Sequence, residues 1–118
     1  MNQIEDDLKL LMVIQNQLDI VFKEIPHGTT HLEFKNNQAF QAISYRAGII
    51  IGNALKDCSE NLKTQYSDDI SWRKFIRFRD RIAHLSENAN EKILCIAVQK
   101  DFPLLQSQIL PIIQKISQ

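Results

Sequence analysis

Cysteine, proline and glycine are all scarce in this chain, with two, three and three copies among 118 residues, and there is one tryptophan. The two thiols, Cys58 and Cys95, have no neighbours at metal-ligand or redox-motif spacing. They therefore read as reduced packing residues rather than a disulfide or a zinc site. So few glycines and prolines leave long stretches unbroken, and none of these alternates apolar and polar residues as a strand would. Charge of one sign is lacking too: 14 basic and 14 acidic residues give a formal net charge of zero, so no global field attracts nucleic acid and any anion site has to be local. No apolar run approaches a membrane span, and the acidic start Met1-Asn2-Gln3-Ile4-Glu5-Asp6-Asp7 has no basic region of a secretion signal, so the expectation is a cytoplasmic protein without a membrane segment. His27 and His31 are four apart, but Pro26-His27-Gly28-Thr29-Thr30 reads as a loop with no Cys or carboxylate cluster to complete a site, and no metal or other cofactor is expected. With 44% hydrophobic side chains, residues 1–118 suffice for one core and are expected to form one domain.

What the chain does have is helical periodicity. Ile4, Leu8, Leu11, Met12, Leu18, Val21, Phe22 and Ile25 recur at spacings of three, four or seven, which predicts an amphipathic helix of about six turns ending at Pro26. A polar loop through Lys35 follows, and Asn36 or Asn37 can cap a second helix through Phe40, Ile43, Ala47, Ile50, Ile51, Ala54, Leu55 and Leu62. Its centre, Ala47-Gly48-Ile49-Ile50-Ile51-Gly52, is apolar nearly all round and so expected to be buried among several helices. Gly48 and Gly52, one turn apart, mark close approach of a neighbour. Asp68-Asp69-Ile70-Ser71 offers turn and cap residues for a third helix over 72–85. After Ser86-Glu87-Asn88-Ala89-Asn90, a last helical region carries Ile93, Leu94, Ala97, Val98, Leu104, Leu105, Ile109, Ile112 and Ile116, with a restart or kink expected at Pro103 and a second kink at Pro111. The fold class this implies is all-α, an antiparallel bundle of four or five helices.

The third helix carries the chemistry. Arg73, Lys74, Arg77, Arg79 and Arg81 put five of the fourteen cations within nine residues, the one strong charge asymmetry in the chain. A basic run by itself reads as a solvated helix face. Arg79 is different, because at about 100° per residue it falls among Trp72, Phe75, Phe78, Ile82 and Ala83. Desolvating a lone guanidinium is costly unless it meets a carboxylate, a phosphate or a partly wet subunit boundary, so this face is not expected to be a closed core. His84 follows five residues later, about 140° further round the helix. A permanent cation and a titratable imidazole suit phosphate chemistry, but bringing both to one phosphate needs the reach of the Arg side chain, a frayed helix end or a second copy of the chain.

Four segments, in order and at compatible spacing, resemble the HEPN superfamily of small helical proteins, and within it the HepT-like toxins of toxin–antitoxin pairs. Ile50-Ile51-Gly52-Asn53-Ala54-Leu55 is similar to the family's I-I-G-E-A-L, and Ser71-Trp72-Arg73-Lys74-Phe75-Ile76 to its P-W-R-x-I-x. Phe78-Arg79-Asp80-Arg81-Ile82-Ala83-His84 resembles F-R-N-x-x-A-H, and Lys100-Asp101-Phe102-Pro103-Leu104-Leu105 resembles K-D-L-P-x-L.

The resemblance implies that Arg79 and His84 are the catalytic pair of a metal-independent endoribonuclease. It also implies a homodimer whose two pairs line one cleft, with a nucleotidyltransferase (MNT-type) antitoxin as partner and RNA as substrate. Arg73, Arg77 and Arg81 would then hold the RNA backbone. The chain departs from the family's pattern at Asp80, a polar neighbour of the site where the family has Asn, and at Asn53, where the family has Glu. At Ser86 the family often has the Tyr that its antitoxin modifies with AMP, which makes Ser86 the modification position to examine. The other reading is a non-catalytic HEPN module that binds a nucleotide or serves as the helical subunit of a nucleotidyltransferase complex.

Overall fold

The computed structural model describes residues 2–84 and 87–118, with the side chains at 87–90 excepted. Among the described residues every regular element is a helix: α1 Gln3–Glu24, α2 His31–Lys35, α3 Gln38–Asp57, α4 Glu60–Gln65, α5 Trp72–His84, α6 Glu87–Ile96 and α7 Phe102–Ile116, with a π-helical turn Ala97–Asp101 joining the last two. The all-α bundle expected from the periodicity is what forms. None of these helices is long and apolar enough to cross a membrane.

Local chemistry sets the ends of α1. Asn2 accepts a hydrogen bond from the Ile4 amide at 2.9 Å, Glu5 and Asp6 lie in the first turn and Lys23 in the last, all complementary to the helix dipole. Pro26 forces Ile25 to extended backbone, and the helix stops. Its buried stripe is Leu11, Ile14, Leu18 and Val21. Met12 and Ile4, which the spacing assigns to the core, are 50% and 57% exposed: Met12 points about 100° away from Leu11, and Ile4 sits in the first turn.

The boundaries around α3 differ from the sequence expectation at both ends. The polar loop through Lys35 contains α2, nucleated by a capping box in which the Glu33 amide donates to Thr30 Oγ1 at 3.1 Å and the Thr30 amide donates to Glu33 Oε1 at 3.0 Å. The Thr30 amide, together with the Thr30 hydroxyl donating to the same Oε1 at 2.9 Å, holds the Glu33 carboxyl below its ordinary range. Asn37, not Asn36, caps α3 through a 3.0 Å bond from the Phe40 amide. At the other end α3 does not run through Leu62 but stops at Asp57, and Ser59 caps the separate helix α4. The reason lies in α1: buried Asp7 accepts from the Ser59 amide at 2.8 Å and from Ser59 Oγ at 2.6 Å, so a tertiary pair outcompetes continued helix. Cys58, at this corner, is pushed up to about 12 by burial and by the Asp7 charge, and like Cys95 it is a free buried thiol.

The start of α5 is tied to its neighbours. Trp72 Nε1 donates to the Tyr66 carbonyl at 3.0 Å, while the Ser71 amide donates to Gln108 Oε1 at 3.1 Å and Gln108 Nε2 donates back to Ser71 Oγ at 3.2 Å. The restart expected at Pro103 takes the form of the π turn, in which the Phe102 amide bonds the Ala97 carbonyl five residues back. Proline lacks the N–H and crowds the carbonyl four residues earlier, so a wider turn relieves the clash. Pro111 lies inside α7, and the helix continues past it.

Candidate functional site

The site is built where α5 crosses α3, and two glycines set its geometry. A Cβ added at Gly48 would lie 2.7 Å from Ile82 Cδ1 and Phe78 Cε2, and one at Gly52 would lie 2.2 Å from Arg79 Cβ and 3.2 Å from the Phe75 carbonyl. The close approach expected from Gly48 and Gly52 therefore exists, and at Gly52 the neighbour is the stem of Arg79. The seam follows Phe75, Phe78, Arg79 and Ile82, with Phe75 and Ile82 buried near its centre and Arg79 about 50° to one flank. Ala83, which the spacing puts on the apolar face, is exposed, because it lies about 90° from the seam centre, beyond Arg79.

The Arg79 side chain is 33% exposed and divided between two environments. Its Nε is buried and has no hydrogen-bond acceptor among the described residues. Its Nη1 donates to Asp80 Oδ1 at 3.1 Å, in an ion pair whose carboxylate side chain is 55% exposed. Adjacent helical positions do not face each other, so this bond requires the guanidinium to swing out of the seam towards Asp80. Asp80 and His84 are four apart and lie on the same side of α5. The swing thus carries the guanidinium towards the His84 side and narrows the angular separation noted from the sequence. His84 is exposed in the last turn of α5, with no hydrogen-bond partner among the described residues.

Arg73, Arg77 and Arg81 are all exposed. Arg73 and Arg77 share with Asp80 and His84 a sector of about 60°, whereas Arg81 turns away towards α6. Arg77 and Arg81 line a groove with Lys74, and Lys74 Nζ pairs with Asp101 Oδ1 at 2.9 Å. That ion pair is invisible in sequence, because Asp101 reaches α5 only through the π turn 27 positions later. Ser86 lies outside the described residues. No three His, Cys, Asp or Glu side chains gather into a metal-binding group among the described residues. Chemically, the arrangement offers a guanidinium with an unused donor, an adjacent carboxylate and an exposed imidazole along one edge of a helix.

Comparison with known proteins adds two findings. The model of the family described as Ribonuclease HepT-like matches residues 6–112. A protein of Caldanaerobacter subterraneus subsp. tengcongensis named "Putative RNase TTE0752" is 25% identical over 88 residues, which is 75% of this chain and 78% of that protein. No solved structure matches.

Proposed function

We propose, because the chain belongs to the Ribonuclease HepT-like family, that it is a metal-independent endoribonuclease in which residues 1–118 act as one domain and Arg79 and His84 do the chemistry. The observation that carries this reading is the state of Arg79: its stem is seated against Gly52, its Nε has no acceptor, and its Nη1 is drawn towards the side of α5 that presents His84. A buried unsatisfied donor on a cation is costly, and a phosphate oxygen would satisfy it once the side chain turns to bring Nε to the surface.

The reaction needs no external nucleophile. RNA supplies its 2′-hydroxyl, whose proton passes to a base as its oxygen bonds the adjacent phosphorus. The phosphorus–O5′ bond then breaks and the leaving oxygen takes up a proton, giving a 2′,3′-cyclic phosphate and a 5′-hydroxyl. An imidazole can accept or deliver a proton in either transfer, and that role falls to His84. Arg79 stabilises the charge that grows on the equatorial oxygens through its fork of donors. Arg73, Arg77 and Arg81 hold the backbone without reading sequence. Two protomers meet on the Arg79 flank of α5, so that each Arg–His pair lies beside its partner's in one cleft. In the cell the chain acts as a cytoplasmic toxin held inactive by a nucleotidyltransferase antitoxin that occludes the cleft.

One experiment tests the catalytic assignment. Purified protein is incubated with single-stranded RNA in excess chelator, alongside His84→Ala and Arg79→Lys. Cleavage by the wild type is expected to fall by about 10² to 10⁴ in His84→Ala, the range for a lost acid–base group, while a folded dimer persists. Arg79→Lys is expected to be nearly as inactive, since an ammonium lacks the bidentate fork. Full activity in either variant would remove that residue from the mechanism. The Arg79–Asp80 pair is the observation that favours the other reading, a nucleotide-binding or helical partner subunit without activity, and RNA left intact by the wild type would establish it.

A further inference from the structure

On the flank of α5 opposite Arg79 runs a groove of about 360 Å³, walled by α5 on one side and by α6 and the π turn on the other. Its floor is apolar: Phe78 and Ile93 are half-buried, and Ile96 is 42% exposed. Phe78 is fixed there by an edge-to-face contact with Phe102, with centroids 6.1 Å apart at 90°, so the floor is set by the core beneath it. Its rim is cationic. Lys74 is engaged by Asp101 at one end, whereas Arg77 and Arg81 have no ion-pair partner among the described residues. An exposed isoleucine beside two guanidiniums that are unpaired among the described residues is a surface that a matching partner would serve well.

We propose that this groove docks an acidic amphipathic helix of a protein partner. Apolar side chains of that helix cover Phe78, Ile93 and Ile96, and carboxylates three or four residues apart pair with Arg77 and Arg81, which are themselves four apart on α5. The floor offers no open ring face, which argues for protein over RNA. Unpaired bases gain their affinity by stacking on exposed aromatic faces, and of the two aromatic side chains lining this groove Phe75 is buried and Phe78 is half-buried and packed against Phe102. The proposal deepens the partner assignment above and rests on it for the biological role alone. Because Arg77 and Arg81 also belong to the RNA track, an occupant of the groove displaces RNA from that side of α5.

The test uses the full chain and a fluorescein-labelled peptide with Leu at i, i+3, i+4 and i+7 and Glu at the flanking positions, followed by anisotropy. A control peptide of the same composition has its apolar positions scrambled. The amphipathic peptide is expected to bind at about micromolar strength, and at least about tenfold more tightly than the scrambled one. Arg77→Glu with Arg81→Glu, and separately Ile96→Asp, are each expected to weaken binding by about tenfold or more with unchanged circular dichroism. His84→Ala is expected to bind as the wild type does, so that docking and cleavage are read separately. No binding by the wild type, equal binding of the scrambled peptide, or indifference to Ile96→Asp would each overturn the proposal. So would a single-stranded RNA probe that Ile96→Asp weakens as much as it weakens the peptide, since that would make the groove a nucleic-acid path.

Discussion

Asp80 has two opposed effects on Arg79. It draws the guanidinium from the seam towards the His84 side, and it occupies Nη1, a donor that a phosphate would use. Both side chains of the pair are substantially exposed, so the interaction is worth about 1 kcal/mol at most. Asp80→Asn keeps the shape and a carbonyl oxygen that still accepts from Nη1, while removing the competing charge. The expected outcome is a lower KM for RNA at low salt, by up to about fivefold, with kcat within about twofold, measured by steady-state cleavage. A higher KM in Asp80→Asn would show that the carboxylate assists the substrate instead of competing with it.

The crossing of α3 and α5 works as one unit, and its two glycines are not equivalent. At Gly48 an added methyl meets the ends of two packed side chains, Ile82 Cδ1 and Phe78 Cε2, which yield at less cost than backbone does. At Gly52 it meets Arg79 Cβ at 2.2 Å and the Phe75 carbonyl at 3.2 Å, atoms fixed to the backbone of α5, so the helices must separate. Overpacking of this kind costs about 1–3 kcal/mol. Gly52→Ala is therefore expected to lower the melting temperature by roughly 4–12 °C, and Gly48→Ala by clearly less, by differential scanning calorimetry. Because Gly52 seats the stem of Arg79, Gly52→Ala is also expected to lose cleavage activity at temperatures where it remains folded. Equal effects of the two substitutions would mean that Arg79 is not locked by this contact.

As a whole molecule the protein leaves the Arg79 flank of α5 partly uncovered, with Ile76 half-buried and Ala83 exposed beside the guanidinium. On the proposed function a second copy would cover that flank and complete the cleft, so a mass of two protomers is expected from light scattering at micromolar concentration. A mass of one protomer that does not change with concentration would contradict the shared cleft. On the same reading, the formal net charge of zero leaves attraction for the RNA backbone to local cations, Arg73, Arg77 and Arg81 beside Arg79. Raising salt is accordingly expected to raise KM with a log–log slope of about 2–3 in magnitude, as those contacts release fewer counterions, while kcat changes little. A slope near zero would remove the three arginines from the RNA track.

The long helices α1, α3 and α5 were legible in the sequence because their signals are local, whereas the short α2 and α4 were not. Pro26 ended α1, the glycine pair announced a close crossing, and Pro103 announced a break, each through backbone geometry that depends on neighbours within one or two turns. The Arg79–His84 spacing was likewise legible as a pair on one helix. What the sequence by itself determined, then, was an all-helical chain with its one concentrated cationic segment on α5. Tertiary structure decided the rest. Asp7 cut α3 short by claiming Ser59 from 52 residues away, and α3 chose which flank of α5 was buried, placing Ala83 in solvent. The π turn carried Asp101 to Lys74 and closed one end of a groove that periodicity does not reveal. These outcomes depend on which helix packs against which, and at what angle. That choice is made by the summed burial and hydrogen bonding of residues far apart in the chain, which a periodicity of 3.6 does not encode.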